Sequence, residues 1–541
     1  MAPASSANSG ELQNYLRLAD AALRAGDQAN AMAVAENASA KGIDHPGLLP
    51  LAVFHALASG DAAKAMSYAE RARKLAPNNI DVMHAVAVAL ANNNRQKEAL
   101  GVYDKALRQQ PSVVPLRYNR ARLLEDMGDP VRARRDYERV VELLPNHPSA
   151  LARLGAIAVA NNESAAARAY AGRALKLNPR ETAALIVLAQ ADLLEKKYDA
   201  VITRMTPLAS GDPSAVNRSL AQGLIADALD AQGRKKDAFA AYRSSNEILK
   251  VEFAQRFAAP GMETALERAE RTLAHVKVSS VRAAAQADSP VKMHVFLLGF
   301  PRSGTTLLEN VLAGHPDVET VEERDGLLAA EMDFLVPPDG LEKLDAAQDL
   351  TFYRDAYWAE MQESGAALEK PVFIDKMPLN SLLLALIAKL FPDAKILLAI
   401  RDPRDVILSC FRRRFGMSAK MYELLSLDRA AAFYDIAMQL CEAARGKYPM
   451  PFRVTRYEDL VAGFEKETRA LCEFLGVDYS DAMAGFADRA RGRLVNTPSA
   501  AQVSQSLYTQ GIDQWRAYAP QLAPVLPMLA PWIQTFGYAE E

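Results

Sequence analysis

The first 245 residues carry one repeated hydrophobic pattern. Apolar residues recur at intervals of three and four, the period of an α-helix that buries one face. Prolines at 77, 111, 145, 179 and 213 and alanines at 65, 99, 133 and 167 each keep a step of 34 residues. Proline is tolerated at the start of a helix, and a small alanine lets two helices approach closely. The pattern predicts a series of helix pairs, with a proline opening each following helix.

The hydrophobic pattern changes near residue 293. Short apolar runs occupy 293–300, 371–375, 394–400 and 451–457, and helical stretches lie between them. This alternation is typical of βαβ units and a parallel sheet, in which ligands bind beyond the carboxyl ends of the strands. Polar residues directly follow the first three runs. We therefore expect an all-α region followed by an α/β domain, with a site at that edge of the sheet.

A segment without a strong pattern separates these regions. Residues 246–275 still show a helical pattern, interrupted at Pro260, and residues 276–290 have the composition of a linker. The predicted organisation is a helical repeat array with trailing helices over 1–275, a linker over 276–290 and an α/β domain over 291–541.

Composition and charge exclude several classes of protein. The 541 residues include 63 basic and 66 acidic ones, which argues against a general nucleic-acid or membrane-surface binder. The sequence contains neither a run of eighteen apolar residues nor a signal-peptide pattern at its start. The three cysteines are too few and too far apart for a disulfide framework or a zinc site. We expect a cytoplasmic protein without a membrane span.

The stretch GFPRSGTT (299–306) predicts an anion-binding loop. Gly299 and Gly304 bracket a turn between a strand and a helix, where backbone N–H groups and the helix N-terminus favour negative charge. In ATP- and GTP-binding loops a lysine follows the second glycine, but here Thr305 follows it and Arg302 is the cation. The loop therefore fits a phosphate better than a metal-bound triphosphate.

A second group of anion-binding residues lies in RDPRDVILSCFRRRF (401–415). Arg401 leaves a predicted strand, and Ser409 and Arg413 are four residues apart, which would place them on one face of the next helix. These three donors are placed to hold a second phosphate. The arginines at 412–414 also fit a solvated helix face. Together the two segments suggest a nucleotide with phosphates at two separate positions.

The 34-residue step resembles the tetratricopeptide repeat, a helix–turn–helix unit, over residues 10–245. The resemblance rests on segments such as RQKEALGVYDKALRQQP and SAAARAYAGRALKLNP. It implies a superhelix with a concave groove. The groove would bind a peptide or protein partner, with a rigid spacer or a dimerisation arm as the alternative.

The pair GFPRSGTT and RDPRDVILS resembles the sulfotransferases that use 3′-phosphoadenosine 5′-phosphosulfate (PAPS), over residues 293–540. The resemblance implies PAPS as co-substrate, adenosine 3′,5′-bisphosphate as product, a P-loop-like fold and no metal. In that family the first motif holds the 5′-phosphosulfate and the second the 3′-phosphate. Carried over, the 5′ residues are Arg302, Ser303, Gly304, Thr305 and Thr306, and the 3′ residues are Arg401, Ser409 and Arg413.

The segment VETVEERDG (318–326) resembles the protein-tyrosine sulfotransferases in its paired glutamates. The second glutamate, Glu323, aligns with the catalytic base of that family, and a carboxylate is suited to accept the proton of an attacking hydroxyl. Glu322 is the second choice of base and His315 a weaker one. The family has an arginine two residues after its base, whereas this chain has Asp325.

Further family positions follow along the chain. Lys376, in VFIDKMPLN, would act with Arg302 to stabilise the transferring sulfuryl group, although a structural ion pair with Asp375 is the alternative. Tyr457, in RYEDLV, and Ser499, which begins SAAQVSQSLY, would contact the nucleotide. The tyrosine enzymes have a lysine fifteen residues after that serine. In this chain Gln514 stands at the position of that lysine, and Arg516 would replace the lysine contact. Trp515 and Tyr518 are expected to be packing groups.

These features predict a sulfotransferase in which Glu323 activates an acceptor hydroxyl. Protein tyrosine is one acceptor, and a carbohydrate, lipid or small metabolite is the alternative. Two other functions remain open: an ATP-dependent nucleotide kinase, and a repeat scaffold whose inactive α/β domain senses a nucleotide.

Overall fold

A computed structural model describes residues 6–279, 289–487, 489 and 511–539. The chain forms two compact units, Met1–Glu195 and Lys196–Glu541. Most of the predicted linker, residues 276–290, lies outside the described residues, so the predicted domain boundaries stay a prediction. Among the described helices, none combines the length and the apolar character that crossing a membrane requires.

The first unit consists of helices that pack in sequential antiparallel pairs. Alanines at 65, 99, 133 and 167 are fully buried, as the close approach of paired helices requires, and Ala31 one step earlier is buried too. The helices are α1 Ser6–Arg24, α2 Gln28–Ala40, α3 Leu49–Ala58, α4 Ala62–Leu75, α5 Ile80–Asn92, α6 Gln96–Gln109, α7 Val114–Asp126, α8 Pro130–Leu143, α9 Pro148–Ala160, α10 Ser164–Leu177 and α11 Thr182–Leu194.

The periodic prolines end helices, and the prediction that they open the following helices is wrong. Helix α4 ends at Leu75, and its C-cap, Ala76, has φ −147° and ψ 70°. Pro77 follows, and helix α5 begins only at Ile80. The proline ring clashes with a preceding residue in the helical conformation, so each proline stops the helix before it.

Turn residues in the left-handed conformation follow the same period. Such residues stand at the turn between the two helices of a pair, where glycine and asparagine tolerate positive φ best. They recur every 34 residues, with φ between 59° and 79°, at Gly26, Gly60, Asn94, Gly128, Asn162 and Lys196.

The second unit begins with helices that continue the all-α region. They are α12 Tyr198–Gly211, α13 Ala215–Ala231, α14 Lys235–Phe257 and α15 Ala265–Val278. The α13–α14 hairpin is longer than the earlier pairs, and the left-handed residue of its turn, Gly233, stands three positions beyond the 34-residue step from Lys196. Phe239 of this hairpin stacks on Phe411 of the α/β part, with ring centroids 5.1 Å apart.

A five-stranded parallel sheet forms the centre of the α/β part, which confirms the predicted fold class. The strand order is β2-β3-β1-β4-β5. Four strands correspond to the predicted apolar runs, whereas β2 was not predicted. The strands are β1 Met293–Gly299, β2 Val318–Glu322, β3 Val372–Lys376, β4 Lys395–Ile400 and β5 Phe452–Arg456.

Helices cover both faces of this sheet. Alternate residues of β1 enter separate hydrophobic cores, with Phe296 and Leu298 on one face and Val295 and Leu297 on the other. Burial on both faces explains the continuous apolar runs in the sequence. The helices are α16 Thr305–Leu312, α17 Leu328–Phe334, α18 Gly340–Ala346, α19 Thr351–Glu363, α20 Leu384–Leu390, α21 Pro403–Arg412, α22 Ala419–Tyr422, α23 Leu427–Lys447, α24 Tyr457–Ala462, α25 Phe464–Leu475, α26 Ala519–Leu522 and α27 Leu526–Thr535.

Candidate active site

The loop between β1 and α16 has a tightly constrained backbone. Arg302 has φ 74° and Gly304 has φ 97°, and such a conformation costs a residue with a side chain about 1–3 kcal/mol. Both the backbone N–H and the hydroxyl of Ser303 donate to the carbonyl of Phe300, at 3.1 and 2.7 Å. A side chain at Gly299 would come within 2.8 Å of the Ala399 carbonyl, so the close packing against β4 requires glycine. The loop thereby directs the N-terminus of α16 towards a cavity.

The two predicted anion-binding motifs meet at Arg302. Its Nε donates to the hydroxyl of Ser409 on α21 at 3.0 Å. Arg401, at the end of β4, donates to the backbone carbonyl of Arg302 at 3.3 Å. Burial, and then the positive charge of Arg413, lower the pKa of Arg302 to about 10. The parallel arrangement of β1 and β4 is what brings these distant segments together.

Arg401 is held between an aromatic ring and a carboxylate. Its guanidinium lies over the ring of Tyr457, 5.3 Å from the centroid, and 3.6 Å from the carboxylate of Asp405. The Tyr457 ring also packs against Gly304, where an added Cβ would come within 2.8 Å of it. The buried Nε of Arg401 has no hydrogen-bond partner among the described residues. A buried donor of this kind is suited to an anion.

Arg413 does not share a helix face with Ser409, so that prediction is wrong. Helix α21 ends at Arg412, and Arg413 is extended, with φ −98° and ψ 139°. The interpretation of 412–414 as a solvated face is also wrong. Arg412 pairs with Asp230 at 2.6 Å and Arg414 with Asp227 at 3.2 Å, because α13 packs beside the end of α21.

A buried lysine with three carboxylates lies at the ends of β2 and β3. The ammonium of Lys376 is 2.8 Å from Glu323, 3.0 Å from Glu322 and 3.6 Å from Glu309. The Lys376 side chain is 0% exposed. Burial alone would lower its pKa, but the three glutamates outweigh burial and the pKa is raised. Burial raises the pKa of Glu309 to about 7, against the opposing effect of Lys376.

Glu323 lies between Lys376 and the cavity. Its backbone has φ 48°, and its N–H donates to the Lys376 carbonyl at 2.8 Å, which continues the ladder between β2 and β3 by one residue. Its side chain is 40% exposed and lines the cavity. Arg302 and Glu323 thus both have left-handed backbones, a conformation that costs a residue with a side chain free energy and that occurs here at two residues lining one cavity.

Lys376 forms no ion pair with Asp375, so that alternative is wrong. Successive side chains of a strand point to opposite faces of the sheet. Asp375 accepts a hydrogen bond from the Tyr357 hydroxyl at 3.1 Å, and Tyr357 in turn lies 2.8 Å from His294. Burial raises the pKa of Asp375 to about 7.

The other predicted residues lie apart from the cavity. His315 accepts from the backbone N–H of Asp317 at 3.1 Å and lies 2.6 Å from the Asp478 carbonyl, so it joins two loops. Gln514 accepts from Arg412 at 3.2 Å, and Arg516 pairs with Asp513 at 3.3 Å. Trp515 and Tyr518 are buried packing groups, as predicted. Ser499 lies outside the described residues.

The sequence interpretation missed Glu309 and the strand β2. Glu309 belongs to α16, in which every residue is buried, and it also accepts a hydrogen bond from the Thr320 hydroxyl of β2 at 3.3 Å. The available signal was the only charged residue of α16, which follows directly after the anion-binding loop.

A cavity of about 370 Å³ joins these groups. The side that we name the loop wall consists of Pro301, Arg302, Gly304, Thr305 and Thr306. Glu323, Arg324 and Asp325 lie beside it. The opposite side is mostly apolar, and we name the apolar wall as Leu327, Leu328, Met332, Val336, Phe415 and Met421. The cavity thus brings together a carboxylate, which can accept a proton, and cations and a helix N-terminus, which can hold an anion. Such a site is suited to transferring an anionic group to a hydroxyl.

Comparison with known families agrees with this chemistry. Residues 294–481 match the model of the sulfotransferase family. Residues 55–113 and 118–171 match the tetratricopeptide repeat model. The chain therefore contains a stretch similar to tetratricopeptide repeats, followed by a stretch similar to the sulfotransferase family.

Curated relatives match somewhat less than half of the chain. A putative protein-tyrosine sulfotransferase of Caenorhabditis briggsae is 28% identical over 45% of this chain and 88% of its own length. Protein-tyrosine sulfotransferase 1 of Danio rerio is 29% identical over 45% of this chain and 72% of its own length. An uncharacterized protein of Aquifex aeolicus is 26% identical over 44% of this chain, and the match spans only 32% of that protein.

Solved structures are similar to separate parts of the chain. The sulfotransferase domain from the Synechococcus PCC 7002 olefin synthase has a TM-score of 0.35 at 23% identity and covers 49% of this chain and all of that one. A tetratricopeptide repeat protein from Parabacteroides merdae has a TM-score of 0.33 at 18% identity and covers 42% of this chain and 90% of that one.

Proposed function

We propose that this protein transfers a sulfuryl group from PAPS to an acceptor hydroxyl. The observation that carries the proposal is a cavity where Glu323, backed by Lys376, faces a loop whose Arg302 contacts Ser409 and Arg401. The relatives named protein-tyrosine sulfotransferases support the same reaction class.

The residues present fit the two charged ends of PAPS. Arg302, Ser303, Gly304, Thr305 and Thr306 would hold the 5′-phosphosulfate at the N-terminus of α16. The residues for the 3′-phosphate would be Arg401, Ser409 and Arg413, with Tyr457 beside the nucleotide. The buried Nε of Arg401, which has no partner in the described part of the chain, is a donor that a phosphate oxygen would satisfy.

Glu323 is the proposed base. It would accept the proton of the acceptor hydroxyl while that oxygen bonds to sulfur and the bond from sulfur to the 5′-phosphate oxygen breaks. Adenosine 3′,5′-bisphosphate would leave with both electrons of that bond. Arg302 would offset the negative charge of the transferring group. Lys376 would hold Glu323 in place, and its positive charge would also act on the transferring group from the far side of Glu323.

The relatives indicate the nature of the acceptor only in part. Their names point to tyrosine in a protein, and tetratricopeptide repeats are suited to binding a protein partner. Asp325 replaces the family arginine near the base, which leaves a carbohydrate, a lipid or a small metabolite as alternatives.

Titration calorimetry tests the donor class. We expect adenosine 3′,5′-bisphosphate to bind more tightly than AMP, because only the bisphosphate satisfies both groups of donors. Tighter binding of magnesium ATP would contradict the proposal and favour the kinase alternative. Binding of the bisphosphate without turnover of any hydroxyl would favour the nucleotide-sensing scaffold.

A further inference from the structure

The apolar wall of the cavity offers few hydrogen-bonding groups to a polar acceptor. Leu327, Val336, Phe415 and Met421 line the same cavity as Glu323, and their side chains contain only carbon, hydrogen and sulfur. Hydroxyl and amide groups buried against such a surface lose hydrogen bonds to water without replacement. An acceptor with a carbon skeleton and few polar groups is therefore favoured at this wall.

Three charged residues that line the cavity near the apolar wall each form an ion pair. Glu331 and Lys420 both line the cavity, and their charged atoms are 2.8 Å apart. Arg268 of α15 also lines it and pairs with Glu263 at 3.2 Å. These pairs reduce the attraction for a charged acceptor.

Two large apolar side chains at this wall are exposed to solvent. Leu328 is 50% exposed and Met332 is 51% exposed. They are four residues apart on α17, and residues at this spacing share a helix face. A ligand against this face would remove both side chains from water, which is favourable because apolar surface is buried.

We infer that the acceptor is a small, uncharged molecule that carries its hydroxyl on an apolar carbon body. This inference rests on the proposed function and names its acceptor class. The hydroxyl would meet Glu323, and the carbon body would lie against Leu328 and Met332. A cavity of about 370 Å³ has the size of typical small-ligand sites. A sugar would place several hydroxyls against the apolar wall, and an acidic peptide would bring its charges towards Asp325.

An acceptor panel tests the inference. With labelled PAPS, we expect 2-naphthol and apolar alcohols to be sulfated with at least tenfold higher kcat/KM than a disaccharide or an acidic tyrosine peptide. Preference for the sugar or the peptide, or no sulfation of the apolar compounds, would overturn the inference. The binding of adenosine 3′,5′-bisphosphate, measured in parallel, reports on the proposed function separately.

A matched pair of variants locates the effect. Met332→Gln should raise the KM for 2-naphthol several-fold and leave the affinity for the bisphosphate unchanged. Met528→Gln changes another exposed methionine, outside the cavity lining, and should leave both unchanged. Equal KM values in the two variants would contradict the assigned wall.

A separate observation concerns the α13–α14 hairpin, which fastens the end of α21. Asp230 accepts hydrogen bonds from Arg412 at 2.6 Å and from Lys235 at 2.6 Å, and Tyr518 donates to the same carboxylate. Asn246 donates to the Phe411 carbonyl at 2.9 Å, which satisfies one of the carbonyls left open where a helix ends.

These contacts lie beside two of the predicted 3′-phosphate residues, Ser409 and Arg413. Ser409 lies three positions before Arg412 on α21, and Arg413 follows Arg412 directly. Ser409 is also the hydroxyl that accepts from Arg302. The geometry points to Asp230 as a positioning residue that holds the end of α21 for the 3′-phosphate, an assignment that also rests on the proposed function.

The ratio of two affinities tests this assignment. In Asp230→Asn, adenosine 3′,5′-bisphosphate should bind about tenfold more weakly while AMP, which lacks the 3′-phosphate, should bind as before. Asp230→Glu should restore part of the ratio. The control Asp237→Asn alters an exposed carboxylate of the same hairpin that pairs with Arg234 at 2.8 Å.

Three outcomes are informative. A fall in the bisphosphate-to-AMP ratio in Asp230→Asn alone supports the assignment. Equal losses for both nucleotides, or an unchanged ratio, overturn it. A wild-type protein that does not distinguish the two nucleotides contradicts the proposed function instead.

Discussion

The loop wall and the apolar wall of the cavity are built in different ways. The loop wall comes from one short segment whose glycines, hydroxyls and strained Arg302 are fixed by contacts with the sheet. The apolar wall comes from two separate segments, residues 327–336 around α17 and residues 415–421, which share no motif. The first wall is suited to one charged group, whereas the second sets only size and polarity.

This difference indicates that the two walls set different kinds of specificity, one for the donor and one for the acceptor. A rigid polar loop accepts one kind of donor, so its sequence is restricted and recognisable. An apolar wall can change residue by residue and still bind related carbon skeletons. We therefore expect changes to the two walls, and to Glu323 between them, to affect different kinetic constants.

The largest effect is expected at Glu323. Glu323→Gln keeps the size of the side chain but removes the proton acceptor, so kcat should fall by about 10²- to 10⁴-fold. Affinity for adenosine 3′,5′-bisphosphate should persist. The control Glu319→Gln removes another β2 carboxylate, one that pairs with Lys370 at 3.1 Å. Near wild-type turnover in Glu323→Gln would show that another group is the base.

The next effect is expected at the 3′-phosphate residues. Arg401→Ala removes a buried cation and should weaken bisphosphate binding by about 10- to 100-fold, because a hydrogen bond to a charged group contributes about 1.5–3 kcal/mol. AMP binding is the internal control for this measurement by calorimetry. Equal weakening of AMP would mean that Arg401 acts on the loop rather than on the 3′-phosphate.

A smaller effect, on stability alone, is expected behind the site. The pKa of Asp375 is raised to about 7 in the folded protein, above its usual value of 3.8. The folded state therefore holds this proton more tightly, and the contribution of Asp375 to stability falls as pH rises from about 4 to about 7. Asp375→Asn does not titrate, so it should gain stability relative to wild type over that range, on the order of 4 kcal/mol.

Denaturant unfolding at several pH values measures this gain. The variant's kcat should stay close to wild type, since Asp375 points to the face of the sheet opposite Lys376. A constant stability difference across the pH range would contradict the raised pKa.

The smallest effect is expected from removing residues 1–195, the whole first compact unit. Kinetic constants for a small acceptor should stay unchanged, because both walls and Glu323 belong to the second unit. A protein acceptor held by the repeats would instead show a raised KM. A large loss with small acceptors would contradict the expectation that the cavity works without the first unit.

Much of the fold was predictable because its signals are local. The 34-residue step, the apolar strands and the loop 299–306 each occupy one continuous segment. By contrast, β2 escaped notice because the edge strand VETVE mixes polar and apolar residues. The position of Glu309 beside Lys376 and the pairing of Arg412 with Asp230 depend on which distant segments the fold brings together. No local sequence pattern encodes these contacts.

The three cysteines have a practical consequence. Cys410, Cys441 and Cys472 are all buried, and burial raises the pKa of Cys410 to about 12. Because the thiolate is the form that reacts with alkylating reagents, the native thiols should resist labelling. A cysteine introduced at Met332 would then take up a maleimide fluorophore selectively. Slower labelling in the presence of an acceptor would report acceptor binding, without any need to remove the native thiols.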